Sequence, residues 1–420
     1  MESIEFEDLL INFTTNFTRI WDDKGAGCWD NATFWRPKPA PDCQKDYYPL
    51  GDLIHWDFQN ADQNCVIALV SEKASAPGDG VKKPALSKPD DYVLVWNDKN
   101  SGAKKNVSIW NPVAPSGYVA LGQVCNDSYD KPSINLVRCI RADLVVASTI
   151  AGWRWNTRGS NAKQFSVWSV LPPAAVPGEA YFSPGTFISH ASFDKPSAKT
   201  KVYSLRVKIP FEEKALAPSP PALPSNLQPT NASPPSITHA SSLAWFTVRD
   251  PDLSTIEQLQ TSPVYRMERT DRYVLTAFGN NTTSQDQAFK WTSTSGESGT
   301  NSKALATATT IEIGAEWQFS VFKSSITVSA RLSRNLNYTE TSSSGWTTTK
   351  SFEVTATLPA KKAVAIYLMQ SEYKLLRQDG TQVANDITYI NGDKVHWSEY
   401  PQKEPEMTCP PVPPIRDTAP

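Results

Sequence analysis

One segment occurs twice with almost unchanged spacing. Ile20-Trp21-Asp22-Asp23-Lys24-Gly25-Ala26-Gly27 is matched by Val95-Trp96-Asn97-Asp98-Lys99-Asn100-Ser101-Gly102, and Trp35-Arg36-Pro37 by Trp110-Asn111-Pro112. Trp21 to Trp96 and Trp35 to Trp110 share one offset of 75 residues. A looser third copy runs Trp155-Asn156-Thr157-Arg158-Gly159 and reaches Trp168 after 13 residues instead of 14. After each copy comes an apolar return strand: Cys65 to Val70, Leu136 to Ile140 and Val202 to Val207. A fixed period means copies of one supersecondary unit, none able to bury its apolar face alone. Each unit reads as several short strands joined by Gly, Asn or Asp turns. Three such sheets can bury their apolar faces together about a pseudo-threefold axis, so a β-prism is expected over residues 1–210.

Composition agrees with an all-β chain. Fourteen Trp, 14 Tyr and 16 Phe suit half-buried pleated surfaces, and 33 Pro interrupt helices. The repeated Trp residues read first as core packing of the unit. Asp22, Asp23, Asn97 and Asp98 have two open readings: hairpin turns, where Asp and Asn supply the dihedrals, or receptor-binding loops at the prism end.

The second copy continues Trp110-Asn111-Pro112-Val113-Ala114-Pro115-Ser116-Gly117-Tyr118-Val119-Ala120-Leu121-Gly122, followed by Val137-Arg138-Cys139-Ile140-Arg141-Ala142-Asp143-Leu144. On these residues the part from about 10 to 210 resembles the vacuolar protein sorting-associated protein 62 family. Asp42 to Asp46 lengthen the first copy, and Pro184 replaces Leu in the third. The resemblance implies little chemistry. Similar threefold prisms bind sugars or acidic lipid headgroups, so binding is the role it suggests.

Residues 211–240 read as a linker, because eight prolines fall between Pro210 and Pro235 without apolar periodicity. A different sequence follows over 241–400. From Thr261 to Ala360, 34 of 100 residues are Ser or Thr, a share that suits a stalk, but Pro is nearly absent and apolar residues alternate. Ile311, Ile313, Ala315, Trp317, Phe319 and Val321 hold odd positions; beyond Phe322-Lys323-Ser324-Ser325, Ile326, Val328, Ala330 and Leu332 hold even ones. Strand side chains alternate with period two, so this phase switch predicts an amphipathic hairpin over about 303–332. Its arms match the 9–11 residues of a membrane β-strand. An ordinary sandwich hairpin has the same pattern.

Residues 243–400 resemble the pore-forming module of aerolysin-type toxins, through Ser262-Pro263-Val264-Tyr265 to Thr282, Ser351 to Val364, and Glu372-Tyr373-Lys374-Leu375-Leu376-Arg377-Gln378-Asp379-Gly380-Thr381. The resemblance implies an elongated β-sheet or sandwich domain that oligomerises and inserts the hairpin. Lone hairpin edges go unpaired in lipid, so insertion requires a closed oligomeric barrel. The odd-position apolar residues and their partners, with Phe322, would face lipid, and Glu312, Glu316 and Gln318 a cation-preferring lumen. The proline-rich tail, 401–420, is a candidate activation peptide with cleavage at Lys403 or Arg416.

Other chemistry is not expected. With 41 basic against 43 acidic residues, the chain lacks the charge of a nucleic-acid binder. Its longest uncharged apolar stretch, Leu144 to Trp153, is too short for a membrane helix, which needs about 20 residues. The acidic start is unlike a signal peptide, so release without a standard leader, or after its removal, is expected. Cys125 and Cys139 lie on segments that read as a pairable hairpin; a bridge and free thiols are both open. His55, His190, His239 and His396 have no zinc spacing, and neither a cofactor nor an enzyme activity is expected. The expected partners are a target cell membrane, a glycan, lipid or protein receptor, and further copies of the chain. The alternative is a non-lytic, lectin-like carbohydrate- or lipid-binding protein.

Overall fold

The computed structural model describes residues 3–41, 46–73, 83–229, 233–298, 317–320, 326–331, 350–383 and 386–401. The repeat becomes three antiparallel units of three strands each, two of them separate sheets and the third part of a larger one. The first joins Phe17–Asp22, Ala32–Pro37 and Leu53–Trp56, and the second Asp91–Asn97, Ser108–Val113 and Val124–Asn126. The third, Val145–Asn156, Ser166–Leu171 and Ile188–His190, is one end of a seven-stranded sheet, because the start of Val145–Asn156 also pairs with Val202–Lys208. In each unit the register slips beside a repeat Trp: at Arg19/Trp21, at Ile109/Trp110 and around Trp153 and Trp155. Such bulges bend a strand and re-aim its side chains. Trp21, Trp96 and Trp155 consequently meet, with Phe34, Ile109 and Val167, in one buried cluster drawn from all three units.

The same three-way relation governs the hydrogen bonds. Trp21 donates Nε1–H to the carbonyl of Lys105 (2.8 Å), Trp96 to that of Lys163 (3.0 Å) and Trp155 to that of Asp30 (2.8 Å). Each unit thus bonds the next, and the third closes the circuit on the first. The second Trp of each copy stays local: Trp35 donates to Thr33, Trp110 to Ser108 and Trp168 to Ser166. A lone indole N–H buried without an acceptor is costly, and these six all have one.

A second layer of sheet lies beneath. Tyr48–Pro49 pairs with Ile67–Glu72, and Tyr118–Val119 with Cys139–Arg141. Both two-residue strands form the edges of their sheets. Their third-copy counterpart, Glu179–Phe182, pairs with Val202–Lys208 on one side and with Thr327–Arg331, from far along the chain, on the other. Cys125 and Cys139 fall in different sheets, Cys125 opposite Ile109 and Cys139 opposite Ser87. Both are buried free thiols, so the hairpin pairing that made a bridge plausible does not form.

The C-terminal part is a seven-stranded antiparallel sheet in the order Phe211–Glu213, Ser236–Ala244, Val264–Asn280, Ala363–Leu376, Ile387–Tyr400, Gln287–Ser298, Lys350–Leu358. Val264–Asn280 has 17 residues, a run of roughly 55 Å at the usual rise. The proline-rich stretch takes part in this sheet at both ends, through Phe211–Glu213 paired with Ser241 to His239. Between them Leu223 is buried and donates its N–H to Ser398 Oγ (2.7 Å). Prolines cannot donate to a ladder, so the segment lies over the sheet, anchored at Leu223. The two parts share one core, in which Phe13 and Phe182 meet Trp245 and Phe246 at ring separations of 4.5–5.9 Å. Among the described residues no helix is long and apolar enough to cross a membrane.

Candidate functional site

The repeat turns carry the first group of candidate residues. Asp22 accepts from the Lys24 N–H, Asn97 from Lys99 and Asn156 from Arg158, three equivalent Asx turns. One residue on, Asp23 and Asp98 are buried, and each carboxylate accepts a backbone N–H across the hairpin, from Ala32 (3.2 Å) and Val107 (2.9 Å). Thr157 does the same for Phe165 with a hydroxyl. Asp22, Asp23, Asn97 and Asp98 thus all hydrogen-bond within their own hairpin turns. The exposed groups at the tips include Lys24, Lys99 and Arg158. Their signal was the one feature common to all three copies at that position, a cation.

The two buried aspartates differ. Ser101 Oγ reaches the second oxygen of Asp98 (3.5 Å), whereas the first unit has Ala26 at the corresponding turn position and Asp23 Oδ2 makes no well-formed hydrogen bond. Burial, opposed by the Ala32 N–H, pushes the Asp23 carboxyl up to about 6. The folded state then holds a proton that the unfolded chain releases near pH 4, so this contribution to stability is present below pH 4 and lost as pH rises through 6. Asp23→Asn keeps the acceptor and removes the titration. Denaturant unfolding should find the variant more stable than the parent by about 2 kcal/mol at pH 7 and equal to it at pH 4. A parallel pH dependence in the two proteins would refute the assignment.

The second group is the hairpin. Trp317–Ser320 pairs antiparallel with Thr327–Arg331, placing Trp317 opposite Ala330 and Phe319 opposite Val328. This is the pairing required by the switch from odd to even apolar positions. The second arm then adds to Glu179–Phe182, with Ala180 opposite Ala330 and Phe182 opposite Val328. Ser183 clips its start, donating N–H to the Thr327 carbonyl and accepting the Thr327 N–H on Oγ, both at 2.9 Å. Ser329 Oγ accepts the Ala175 N–H (3.0 Å). Ile326, Val328 and Ala330, three of the candidate lipid-facing residues, are at most 1 % exposed and lie in the core common to both parts of the chain. Ile311, Glu312, Ile313, Ala315, Glu316, Val321, Phe322 and Leu332 lie outside the described residues, as do Lys403 and Arg416. Trp317, Gln318 and Phe319 are placed by backbone register alone. Among the described residues no group of three or more His, Cys, Asp or Glu could hold a metal ion.

The repeats decide the relationship. The family model of vacuolar protein sorting-associated protein 62 matches residues 1–223, more than half of the chain. The chain belongs to this family. The match spans all three repeat units and the first, edge strand of the long sheet, Phe211–Glu213, and ends before that sheet's other six strands and the hairpin. No curated protein matches the chain. Among solved structures, Cry35Ab1 is similar over 95 % of this chain and 91 % of its own, with 11 % identity and a TM-score of 0.38. GNIP1Aa from Chromobacterium piscinae is similar over 46 % of this chain, with 19 % identity and a TM-score of 0.36; the match spans only 37 % of its own length. Likeness at this level carries no functional argument.

Proposed function

We propose that this family member is a pore-forming protein, released as a soluble chain, whose three-unit N-terminal part acts as a prism that attaches to a target membrane. The C-terminal part then oligomerises and threads the hairpin of about 303–332 into a barrel. The observation that carries this reading is the docking of Thr327–Arg331. An amphipathic arm of alternating pattern borrows the edge of a sheet belonging to another part of the chain, against residues about 150 positions away. Borrowed pairing satisfies its backbone and hides its apolar face in one state, as a closed barrel would in another. A permanent core strand would also be buried, so the two readings differ in whether the arm must leave.

A covalent clamp separates them. Ala180 and Ala330 are directly opposite and buried, within the Cα separation that a disulfide spans, about 4.4–6.8 Å. Oxidised Ala180→Cys/Ala330→Cys protein is expected to release no dye from liposomes made from target-cell lipids, and reductant to restore release. Equal leakage from oxidised and reduced protein would overturn insertion of this arm. Membrane binding without leakage in both states would favour the non-lytic binder.

A further inference from the structure

The three turn tips meet at one end of the N-terminal part. A Cβ on Gly25 would lie 2.8 Å from the Gly102 carbonyl, and one on Gly159 would lie 2.7 Å from that of Gly27, so the turns touch through their backbones. Around this junction stand Lys24, Lys99 and Arg158, the equivalent cations of the three units, together with Lys104, Lys105 and Lys163, all exposed. Each equivalent cation is held over a ring of its own unit: Lys24 over Phe58 at 4.6 Å, Lys99 over Tyr129 at 4.9 Å and Arg158 over Phe193 at 5.0 Å. On the same loops, Asp23 and Asp98 are buried, Asp22 pairs with Arg19, and Asp30 is the exposed carboxylate. Six cations thus gather on the turn loops of a chain of net charge −2, while the neighbouring loops that supply the rings carry the exposed carboxylates Asp57, Asp127, Asp130 and Asp194.

Trp29 lies against the third unit's turn, beside Arg158, and is 74 % exposed. Its backbone N–H donates to the Arg158 carbonyl (2.8 Å) and its ring lies against Gly159, where a Cβ would come within 2.4 Å. Apart from that contact, most of the indole faces water. The cluster beneath the apex contains no residue beyond Phe187, while the core shared with the C-terminal sheet lies in the other layer. Among the described residues, the apex cations and Trp29 are exposed. Cations and an exposed indole at one end combine the two groups that anchor proteins at a bilayer interface, charge for anionic headgroups and an amphipathic ring for the headgroup boundary.

We propose that this apex docks on anionic phospholipid, with Lys24, Lys99 and Arg158 as the headgroup contacts and Trp29 as the interfacial anchor. The inference specifies the attachment step of the function proposed above but does not depend on insertion. Its test is sedimentation of the full chain, in the clamped Ala180→Cys/Ala330→Cys form as well as the parent, with phosphatidylcholine vesicles and with phosphatidylcholine–phosphatidylserine vesicles. Both forms should bind the anionic vesicles, more weakly as salt rises, and leave the neutral ones. At roughly fivefold per cation, Lys24→Ser/Lys99→Ser/Arg158→Ser should lose about a hundredfold in affinity. Lys24→Arg/Lys99→Arg should keep it, which separates lost charge from lost structure, and Trp29→Ala should weaken binding at every salt concentration. Equal binding to neutral vesicles, or a triple Ser variant that binds like the parent, overturns the apex as the site. Leakage that persists in that variant while binding is unchanged leaves the pore reading standing without it. Binding by the clamped form without leakage supports both.

Discussion

Trp21→Ala is expected to lower the stability of the N-terminal part by about 4 kcal/mol, the range of a fully buried aromatic truncated to alanine. Trp21 is 1 % exposed and stands against Phe34, Trp155 and Trp96, with ring centres 5.7, 6.1 and 6.5 Å away. The lost area accounts for part of the cost, and the cavity left between three units that cannot all close inward accounts for more. The indole N–H is also one of the three bonds that join the units in a circuit, so its loss strands the Lys105 carbonyl in the second unit. Damage in one copy should therefore loosen the turn of the next. Trp29→Ala is the control, because that side chain is largely in water and should change stability by no more than about 0.5 kcal/mol. Denaturant midpoints followed by tryptophan fluorescence and by circular dichroism would measure both. A loss below about 1 kcal/mol for Trp21→Ala would mean that the units do not depend on a common core.

The repeat was legible because it is written in residue types that only a packed unit explains. Trp21 and Trp96, 75 residues apart, mark equivalent positions before any strand is assigned, and with the looser Trp155 each donates its indole N–H to a carbonyl of a neighbouring unit. The identity of each indole's acceptor was not legible, since Lys105, Lys163 and Asp30 accept through backbone carbonyls, which every residue has. The role of Asp23 and Asp98 was half legible. Taken alone they look like loop charges, but the third copy puts Thr157 at that position. What Asp and Thr share is an acceptor for a backbone N–H, not a charge, and the structure uses them for that.

The hairpin shows a sharper boundary. Alternation fixes which residues share a face, and a parity switch fixes that the chain turns, so the opposition of Phe319 and Val328 follows from spacing. Nothing local says what a strand's free edge pairs with. Glu179–Phe182 receives Thr327–Arg331 although the equivalent strands Tyr48–Pro49 and Tyr118–Val119 stay at their sheet edges. Periodicity treats the three copies alike, and this pairing distinguishes them. The difference rests on contacts far apart in sequence, including Ser183 and the Phe182–Phe246 ring pair at 4.5 Å.

Val328→Asp is expected to expel the arm while the rest of the chain stays folded. Val328 is fully buried opposite Phe182, and a carboxylate there has no partner. Burying it costs several kcal/mol whether it stays charged or takes up a proton. The competing cost is the release of one short strand: five residues regain backbone freedom worth about 1–2 kcal/mol each, which offsets most of the lost pairing. Expulsion is thus the cheaper response, and it leaves the three-unit cluster untouched because no residue of the arm belongs to it. Trypsin should then cut at Arg331 at least tenfold faster than in the parent, with the denaturant midpoint of the tryptophan cluster unchanged. Thr327→Asp, at a half-buried position next to the Ser183 clip, should do so more weakly. The proposed function adds a consequence that simple destabilisation does not: an arm already free no longer has to be released, so leakage should begin without the lag of the parent. If Val328→Asp instead unfolds the whole chain, with the N-terminal and C-terminal signals lost together, the arm is an integral part of the shared core. Storage of a releasable strand would then be the wrong account of its burial.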